Sequence, residues 1–238
     1  MKAIRTLALI TGLLAIGGVC QAQAKFSSTW TAVSDYDFRG VSQSAKSPAL
    51  QASADVTAGE TGFSAGMWAS NVDFDTPNND NMELDLYANY QKAINDVFTF
   101  TAGVTYYDYP IATDIAGYAE FYLGANLGNF SFKQWYSSNF YGTSDSAMYT
   151  ELNYTQALGD KFSLNFHVGY SWEDYWKTTV GDEPLDYAVQ LNYTAGNFQL
   201  FGKFTGTDAS GPYKVTTDVN NNEPRFLVGV TTTFPWGK

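Results

Sequence analysis

The fold of this chain is decided by residues 162–173, which read Phe-Ser-Leu-Asn-Phe-His-Val-Gly-Tyr-Ser-Trp-Glu. Apolar side chains occupy every even position, and polar or small side chains occupy every odd position. Alternation with a period of two indicates a β-strand, because successive side chains of a strand point to opposite faces. Phe162 lies at one end of the apolar face, and Tyr170 and Trp172 lie at the other. Aromatic ends on an apolar band are typical of a strand that crosses a bilayer.

The same alternation recurs along the chain and predicts about twelve strands, each near the ~10 residues that a tilted membrane-spanning strand needs. The predicted strands are residues 26–38, 49–58, 63–73, 82–90, 98–109, 115–127, 130–141, 147–156, 162–173, 185–195, 198–207 and 224–236. Short and long connections alternate, as expected for periplasmic turns and extracellular loops. We therefore predict an all-β fold, a transmembrane antiparallel up-and-down β-barrel. Its first and last strands must pair, because an unpaired edge in hydrocarbon is costly.

A phenylalanine opens the strand after every short connection. These residues are Phe63, Phe98, Phe130, Phe162 and Phe198, spaced by 32 to 36 residues. Regular spacing indicates one hairpin that repeats, and it predicts a ring of aromatic side chains at one membrane interface. A secreted, water-soluble β-sandwich has no physical reason for such a ring, which disfavours that alternative.

Residues 1–24 have the composition of a secretory signal peptide. A basic start precedes an apolar run from Leu7 to Val19, and small residues end the segment at Ala24. The run is shorter than the roughly 20 residues of a spanning helix. We expect cleavage after Ala24 and a mature barrel formed by residues 25–238. The single cysteine, Cys20, falls inside the predicted signal peptide, so no disulfide or cysteine metal site is expected.

Composition and charge narrow the possible partners and location. The formal net charge of −11 excludes the basic face that nucleic acid requires. Aromatic residues make up 17% of the chain, although half of each strand is polar. A barrel with these properties is expected in the bacterial outer membrane. Its expected partners are membrane lipid, lipopolysaccharide, small solutes and, during biogenesis, the outer-membrane assembly machinery.

Two motifs carry a resemblance to a known family. They are Asp35-Tyr36-Asp37-Phe38-Arg39-Gly40-Val41-Ser42-Gln43 and Trp68-Ala69-Ser70-Asn71-Val72-Asp73-Phe74, and residues 83–87 and 106–110 also fit. The chain resembles the TorF family of porin-like outer-membrane proteins, most strongly over the first third of the mature chain. The resemblance implies a barrel and a diffusion pore without establishing a substrate. One departure is the C-terminus, where Gly237 and Lys238 follow Trp236, whereas barrels usually end on the aromatic residue that the assembly machinery reads.

The face opposite the apolar band is predicted to line the barrel interior. The pore-lining candidates are Asp35, Asp37, Arg39, Asp55, Glu83, Asp85, Glu120, Lys133, Glu151, His167, Asp186 and Lys203. Because carboxylates are in excess, we predict passive diffusion of small hydrophilic solutes with a weak preference for cations. The alternative is a non-conducting structural or adhesive barrel in which the charges pair and fill a narrow lumen. Interior tyrosine and tryptophan rings either stack on the faces of sugars or bases or simply fill volume.

No enzyme, metal site or cofactor is predicted. The only histidine, His167, shares its face with Asn165 and Ser163, about 7 and 14 Å away along a strand. A nucleophile and its base must lie within hydrogen-bond reach, so a hydrolase is disfavoured. Acidic stretches at residues 73–80 and 218–223 lack the spacing and glycine of a calcium loop and indicate turns. A divalent-ion bridge to lipopolysaccharide phosphates is the alternative for these stretches.

Overall fold

The computed structural model describes residues 24–75, 82–111 and 116–236 of the chain. Twelve long antiparallel strands form one closed barrel, and two short strands form a separate hairpin. The strands are β1 (Ala24–Val33), β2 (Asp37–Phe38), β3 (Val41–Ser42), β4 (Ala49–Ala58), β5 (Phe63–Asn71), β6 (Met82–Ala93), β7 (Phe98–Asp108), β8 (Tyr118–Leu127), β9 (Phe130–Ser137), β10 (Ala147–Leu158), β11 (Phe162–Trp172), β12 (Leu185–Ala195), β13 (Phe198–Thr207) and β14 (Arg225–Phe234). The predicted transmembrane up-and-down barrel of about twelve strands is confirmed.

Short turns and long loops lie at opposite ends of the barrel, as predicted. In the ranges that the structure describes, the long loops contain three helical turns, Phe140–Gly142, Tyr175–Val180 and Gly211–Tyr213. Within the described part of the chain, no helix has the length and apolar character needed to cross a membrane. We call the two ends of the barrel the short-turn end and the long-loop end.

The barrel closes where β1 pairs with β14. Two pairs of threonine hydroxyls bridge this seam, Thr29 with Thr233 at 2.9 Å and Thr31 with Thr231 at 2.8 Å. The same strand β1 pairs with β4 on its other side. Every barrel strand therefore has a partner on both sides, which satisfies the backbone groups that hydrocarbon cannot hydrogen-bond.

The outer surface of the barrel is an apolar band with aromatic ends. In β11, the side chains of Phe162, Phe166, Val168 and Tyr170 are 38–45% exposed. At the short-turn end, the phenylalanines after the turns pair with aromatic residues of neighbouring strands. These pairs are Phe63–Tyr90, Phe130–Tyr154 and Phe162–Tyr193, with ring centroids 4.7 to 4.9 Å apart. A continuous exposed apolar band of this kind is a surface for lipid.

The predicted first strand, residues 26–38, is too long. β1 ends at Val33, and the chain then enters the barrel interior, so that Tyr36 is only 8% exposed and packs edge-on against Trp68 at 5.3 Å. Alternation through residue 38 predicts that Tyr36 and Phe38 lie on the outer apolar face with Trp30, and this prediction is wrong. The alternation of apolar and acidic residues continues past Val33, but the side chains of Asp35 and Asp37 form ion pairs with basic side chains inside the barrel.

The remaining strand boundaries agree with the prediction to within a few residues. β6 extends to Ala93, beyond the predicted end at Tyr90, and β9 ends at Ser137, before the predicted end at Tyr141. The predicted signal peptide, apart from Ala24, lies outside the described residues and stays a prediction. Asn78 and Asp80 of the first acidic stretch, together with Ile115, Gly237 and Lys238, also lie outside them.

We expect adjacent residues of β12 to tolerate a charge very differently. Val189 is 41% exposed on the lipid face, whereas Gln190 points inward and donates a hydrogen bond to Asn192 at 2.7 Å. Val189→Arg should lower the free energy of unfolding by about 2–4 kcal/mol, because it puts a charge near the middle of the bilayer. Gln190→Arg is the matched control and should cost much less. Urea unfolding in lipid vesicles measures both, and equal losses would contradict the assignment of the two faces.

Candidate functional site

The barrel interior holds a folded segment of its own chain. Residues 34–48, which we call the inner loop, connect β1 to β4 and contain the hairpin β2–β3. The hairpin turns at Arg39 and Gly40, whose φ angles of 50° and 80° are both positive, as a type I′ turn requires. A Cβ atom on Gly40 would lie 2.4 Å from the Thr207 side chain. Glycine is therefore needed both for the turn and for the close approach to the wall.

Arg225, the first residue of β14, makes three hydrogen bonds to the inner loop. Its Nε donates to Asp35 at 2.7 Å, Nη1 donates to the carbonyl oxygen of Gly40 at 2.6 Å, and Nη2 donates to Asp37. The Arg225 side chain is 9% exposed and those of the two aspartates are 4% and 5% exposed. Buried ions of opposite charge must stay paired, because a lone buried charge is strongly destabilising. These contacts fix the inner loop to the last strand.

A second base, Lys203 of β13, holds the same aspartate. Its Nζ lies 2.7 Å from Asp37, and the Thr205 hydroxyl donates to the same oxygen at 3.1 Å. Burial alone would raise the pKa of Asp37, but Lys203 and Arg225 outweigh that effect and lower the pKa below the usual value of an aspartate. Asp37 is therefore held as a carboxylate at neutral pH.

The tip of the inner loop reaches the opposite wall. Arg39 makes a bidentate ion pair with Glu120 of β8, with N–O distances of 2.7 and 3.1 Å. Its guanidinium carbon also lies 4.0 Å from the centre of the Tyr149 ring, at cation–π distance. Burial alone would lower the pKa of Arg39, yet Glu120 raises it above the usual value. The inner loop thus spans the lumen from β13 and β14 to β8 and β10.

The two motifs that carry the family resemblance meet in the structure. Trp68 packs on Tyr36 of the inner loop, and the backbone N–H of Asp73 donates to the carbonyl of Gln43 at 2.8 Å. Asn71 accepts a hydrogen bond from the backbone of Leu50 at 2.8 Å, just after the loop ends. The second motif therefore supports the start and the end of the segment that contains the first.

His167 of β11 lies in the centre of a hydrogen-bonded cluster formed by side chains of β10, β11 and β12. Its Nε2 is 2.8 Å from Asp186 and 3.0 Å from the Tyr149 hydroxyl, and its Nδ1 is 2.7 Å from Asn153. Both ring nitrogens are therefore engaged. Tyr149 links this cluster to Arg39.

The other predicted pore-lining residues lie on the inner face of the wall, and most of them contact side chains of nearby strands. Tyr87 donates to Asp55, and the Tyr109 hydroxyl donates to Glu83 at 3.2 Å. Glu151 accepts a hydrogen bond from the Trp135 indole at 2.8 Å. The remaining two are Asp85, which is 8% exposed, and Lys133, whose Nζ lies 4.7 Å from the Tyr122 ring centre.

Two carboxylate oxygens in this interior have no protein partner among the described residues. They are Oε2 of Glu83 and Oδ1 of Asp85, which lie two residues apart on the inner face of β6. In the same described ranges, no group of three or more His, Cys, Asp or Glu side chains is placed to hold a metal ion. In the second acidic stretch, the amide groups of Asn221 and Asn222 donate to the carbonyls of Thr217 and Tyr213, as expected of a turn.

Among the described residues, at least three cavities lie in the lumen. The mouth cavity, of about 470 Å³, lies at the long-loop end, the central cavity, of about 310 Å³, lies mid-barrel, and the turn-end cavity, of about 350 Å³, lies nearest the short turns. Phe38 and Arg39 line both the mouth and central cavities. Trp135 lines both the central and turn-end cavities. The three cavities are therefore neighbours, separated by a few side chains.

Three of the predicted pore-lining residues lie on the inner loop, which the alternation in the sequence does not indicate. The alternation predicts Asp35 and Asp37 in a wall strand and Arg39 in the polar loop after it, whereas all three lie in the segment that crosses the lumen. Arg225 is not among the pore-lining residues predicted above, although it holds this segment. The one available signal was the Arg39-Gly40 pair, since glycine after an alternating run marks a turn.

A closed barrel with an apolar outer band and a charged interior defines a transmembrane β-barrel. Its fold is similar to that of KdgM porin (11% identity, TM-score 0.56) and NanC porin (12% identity, TM-score 0.56). Each of the two alignments covers 87% of this chain and 99% of the porin chain. A KdgM structure in complex with disordered oligogalacturonate is also similar (11% identity, TM-score 0.51, 87% of this chain and 99% of that chain). The outer membrane protein Omp33 of Acinetobacter baumannii matches with 10% identity and a TM-score of 0.50, covering 90% of this chain and 99% of that chain.

Residues 20–234 match the family described as "Bacterial protein of unknown function (Gcw_chp)". The chain belongs to this family. No curated protein matches it.

We expect Arg225→Gln to release the inner loop. Among the described residues, Arg225 is the cation that pairs with Asp35, so the variant leaves a buried carboxylate without its partner. Breaking such a pair costs about 3–5 kcal/mol. Single-channel conductance in planar bilayers should rise, because a loosened loop obstructs less of the lumen. Lys92→Gln, at an exposed base near the short turns, is the control and should leave the conductance unchanged.

The inner loop should also respond to strong acid. Because the pKa of Asp37 is lowered in the folded protein, its ion pairs persist above the usual aspartate value of about 3.9 and are lost as the pH falls through the lowered value. Conductance should therefore stay constant from pH 7 to about 4 and rise only below that range. Asp37→Asn should show the higher conductance already at pH 7. A rise of the wild-type conductance between pH 5 and 6 would contradict this assignment.

Proposed function

We propose that this protein is an outer-membrane channel for passive diffusion of small hydrophilic solutes. The observation that carries the proposal is the series of three neighbouring cavities inside a closed barrel. The resemblance to the TorF family of porin-like proteins fits the same function. The fold likeness to KdgM and NanC porins supports it at the level of architecture.

The narrow point of the proposed path lies between the mouth and central cavities. Phe38 and Arg39 line both, and the Arg39 guanidinium lies 4.7 Å from the Phe38 ring centre. Because Arg39 forms an ion pair with Glu120, the constriction has a fixed position beside β8. Solutes that pass must be small enough to move between these side chains and the aromatic residues around them.

The proposed selectivity is a weak preference for cations. Among the side chains that the structure describes, the interior holds eight acids and four bases, the latter being Arg39, Lys133, Lys203 and Arg225. An excess of fixed negative charge attracts cations and repels anions in a narrow pore. It also disfavours acidic saccharides as cargo, in contrast to the oligogalacturonate of the KdgM complex.

The location and partners follow from the same proposal. Short turns would face the periplasm and long loops the exterior, with the aromatic pairs Phe63–Tyr90 and Phe162–Tyr193 at the periplasmic interface. The apolar band would contact membrane lipid, and lipopolysaccharide would surround the outer half. The outer-membrane assembly machinery would insert the barrel after cleavage of the signal peptide.

One observation favours a non-conducting structural or adhesive barrel as the second candidate. The ion pairs of the inner loop with Glu120, Lys203 and Arg225 hold chain across the lumen. Ion conductance separates this candidate from a pore. A hydrolase is not favoured, because the side chains hydrogen-bonded to His167 are Asn153, Tyr149 and Asp186, and none of them is a serine, threonine or cysteine nucleophile.

The proposed selectivity is tested with a salt gradient across a planar bilayer. The reversal potential of the refolded protein should have the sign of cation flow. Neutralising two interior acids with Asp55→Asn and Glu151→Gln should move it toward zero, because the excess of negative charge falls. Glu60→Gln, in an exposed turn, is the matched control and should leave it unchanged.

Two results would overturn parts of the proposal. A reversal potential that favours chloride contradicts the proposed cation preference but not the proposal that the protein is a channel. Absence of conductance in fully folded, reconstituted protein contradicts the channel and favours the structural or adhesive barrel.

A further inference from the structure

The mouth cavity is built jointly by all six connections at the long-loop end. Of the thirteen described side chains that line it, eight are aromatic and one, Arg39, carries a formal charge. Each connection supplies at least one aromatic ring, namely Phe38, Phe74, Tyr109, Phe140, Trp176 and Tyr213. Aromatic rings that merely held the loops together would fill the space between them, whereas here they surround about 470 Å³.

The rings around this cavity meet at steep angles. Phe140 makes angles of 66° with Tyr141 and 67° with Tyr175, while Trp176 makes angles of 89° with Tyr175 and 81° with Tyr213. Ring centroids in these pairs lie 4.5 to 5.5 Å apart. The surface is therefore a curved bowl, without two parallel plates between which a flat aromatic ligand would fit. A puckered, non-planar ring suits this shape better.

The electrostatics of the bowl favour an uncharged ligand. Arg39 at its floor is already paired with Glu120, and its guanidinium lies over the Tyr149 ring. The lining side chains of Gln43 and Asn220 add amide groups, and the tyrosines add hydroxyls. Aromatic faces attract C–H groups because they carry partial negative charge. A ligand with both C–H faces and hydroxyl groups therefore satisfies both kinds of surface.

We propose that the mouth cavity binds an uncharged saccharide. Its volume lies within the range of about 300–1,000 Å³ that small-molecule sites occupy. This inference rests on the proposed channel, since it names the solute class that would collect above the constriction at Phe38 and Arg39. The excess of acids deeper in the lumen acts against ionised saccharides.

Binding can be measured without conductance. Isothermal titration of the refolded protein in detergent with maltose, a neutral disaccharide, should show saturable binding, and a digalacturonate should bind at least tenfold more weakly. Tyr213→Leu and Phe74→Leu, on two different loops, should each weaken maltose binding by about tenfold, since each removes one stacking ring. Tyr136→Leu, at a lipid-facing ring that is 41% exposed, is the matched control and should bind like the wild type.

Heat-dependent migration on gels and circular dichroism confirm that each variant is folded. Current recordings separate this inference from the channel itself. Conductance without maltose binding would overturn the proposed saccharide site but not the proposed channel. Maltose binding without conductance would support the saccharide site and overturn the proposed channel. Unchanged affinity in both folded loop variants, or tighter binding of the digalacturonate, would also overturn the proposal.

Discussion

The structure depends on keeping buried charges paired inside a closed barrel. Arg225 on the last strand contacts Asp35, Asp37 and the carbonyl of Gly40, and thereby holds the inner loop in the lumen. The loop is part of the chain that connects the first barrel strand to the second, so these contacts join the two ends of the chain across the closing seam. A buried carboxylate without its cation is strongly destabilising, so this arrangement has few alternatives once the barrel has closed.

The inner loop links this constraint to function. It separates the mouth cavity from the central cavity, and its tip pairs with Glu120 on the far wall. The same residues therefore set the position of the constriction and part of the floor of the aromatic bowl. The proposed diffusion path is therefore narrowed at Phe38 and Arg39 of the inner loop. The wall strands supply the excess of acids below that place.

Much of the barrel was predictable because its signals are local. Alternation in residues 162–173 gave a strand, and Phe162 and Phe198 marked the ring at the short-turn end, where Phe162 does pair with Tyr193. Alternation failed at Tyr36 and Phe38, which continue the pattern of β1 although they lie inside. Period-two patterning shows that neighbouring side chains face opposite ways, but it does not show whether the segment stays in the wall.

By itself, the sequence determined the class of fold, the number of strands and the inner and outer faces of each wall strand, since these follow from residues a few positions apart. Only the tertiary structure decided that residues 34–48 enter the lumen and what they pair with. Arg39 and Glu120 are 81 residues apart, Asp37 and Lys203 are 166 apart, and Asp35 and Arg225 are 190 apart. No local pattern encodes such pairs, because barrel closure is what brings these charges together in one buried space.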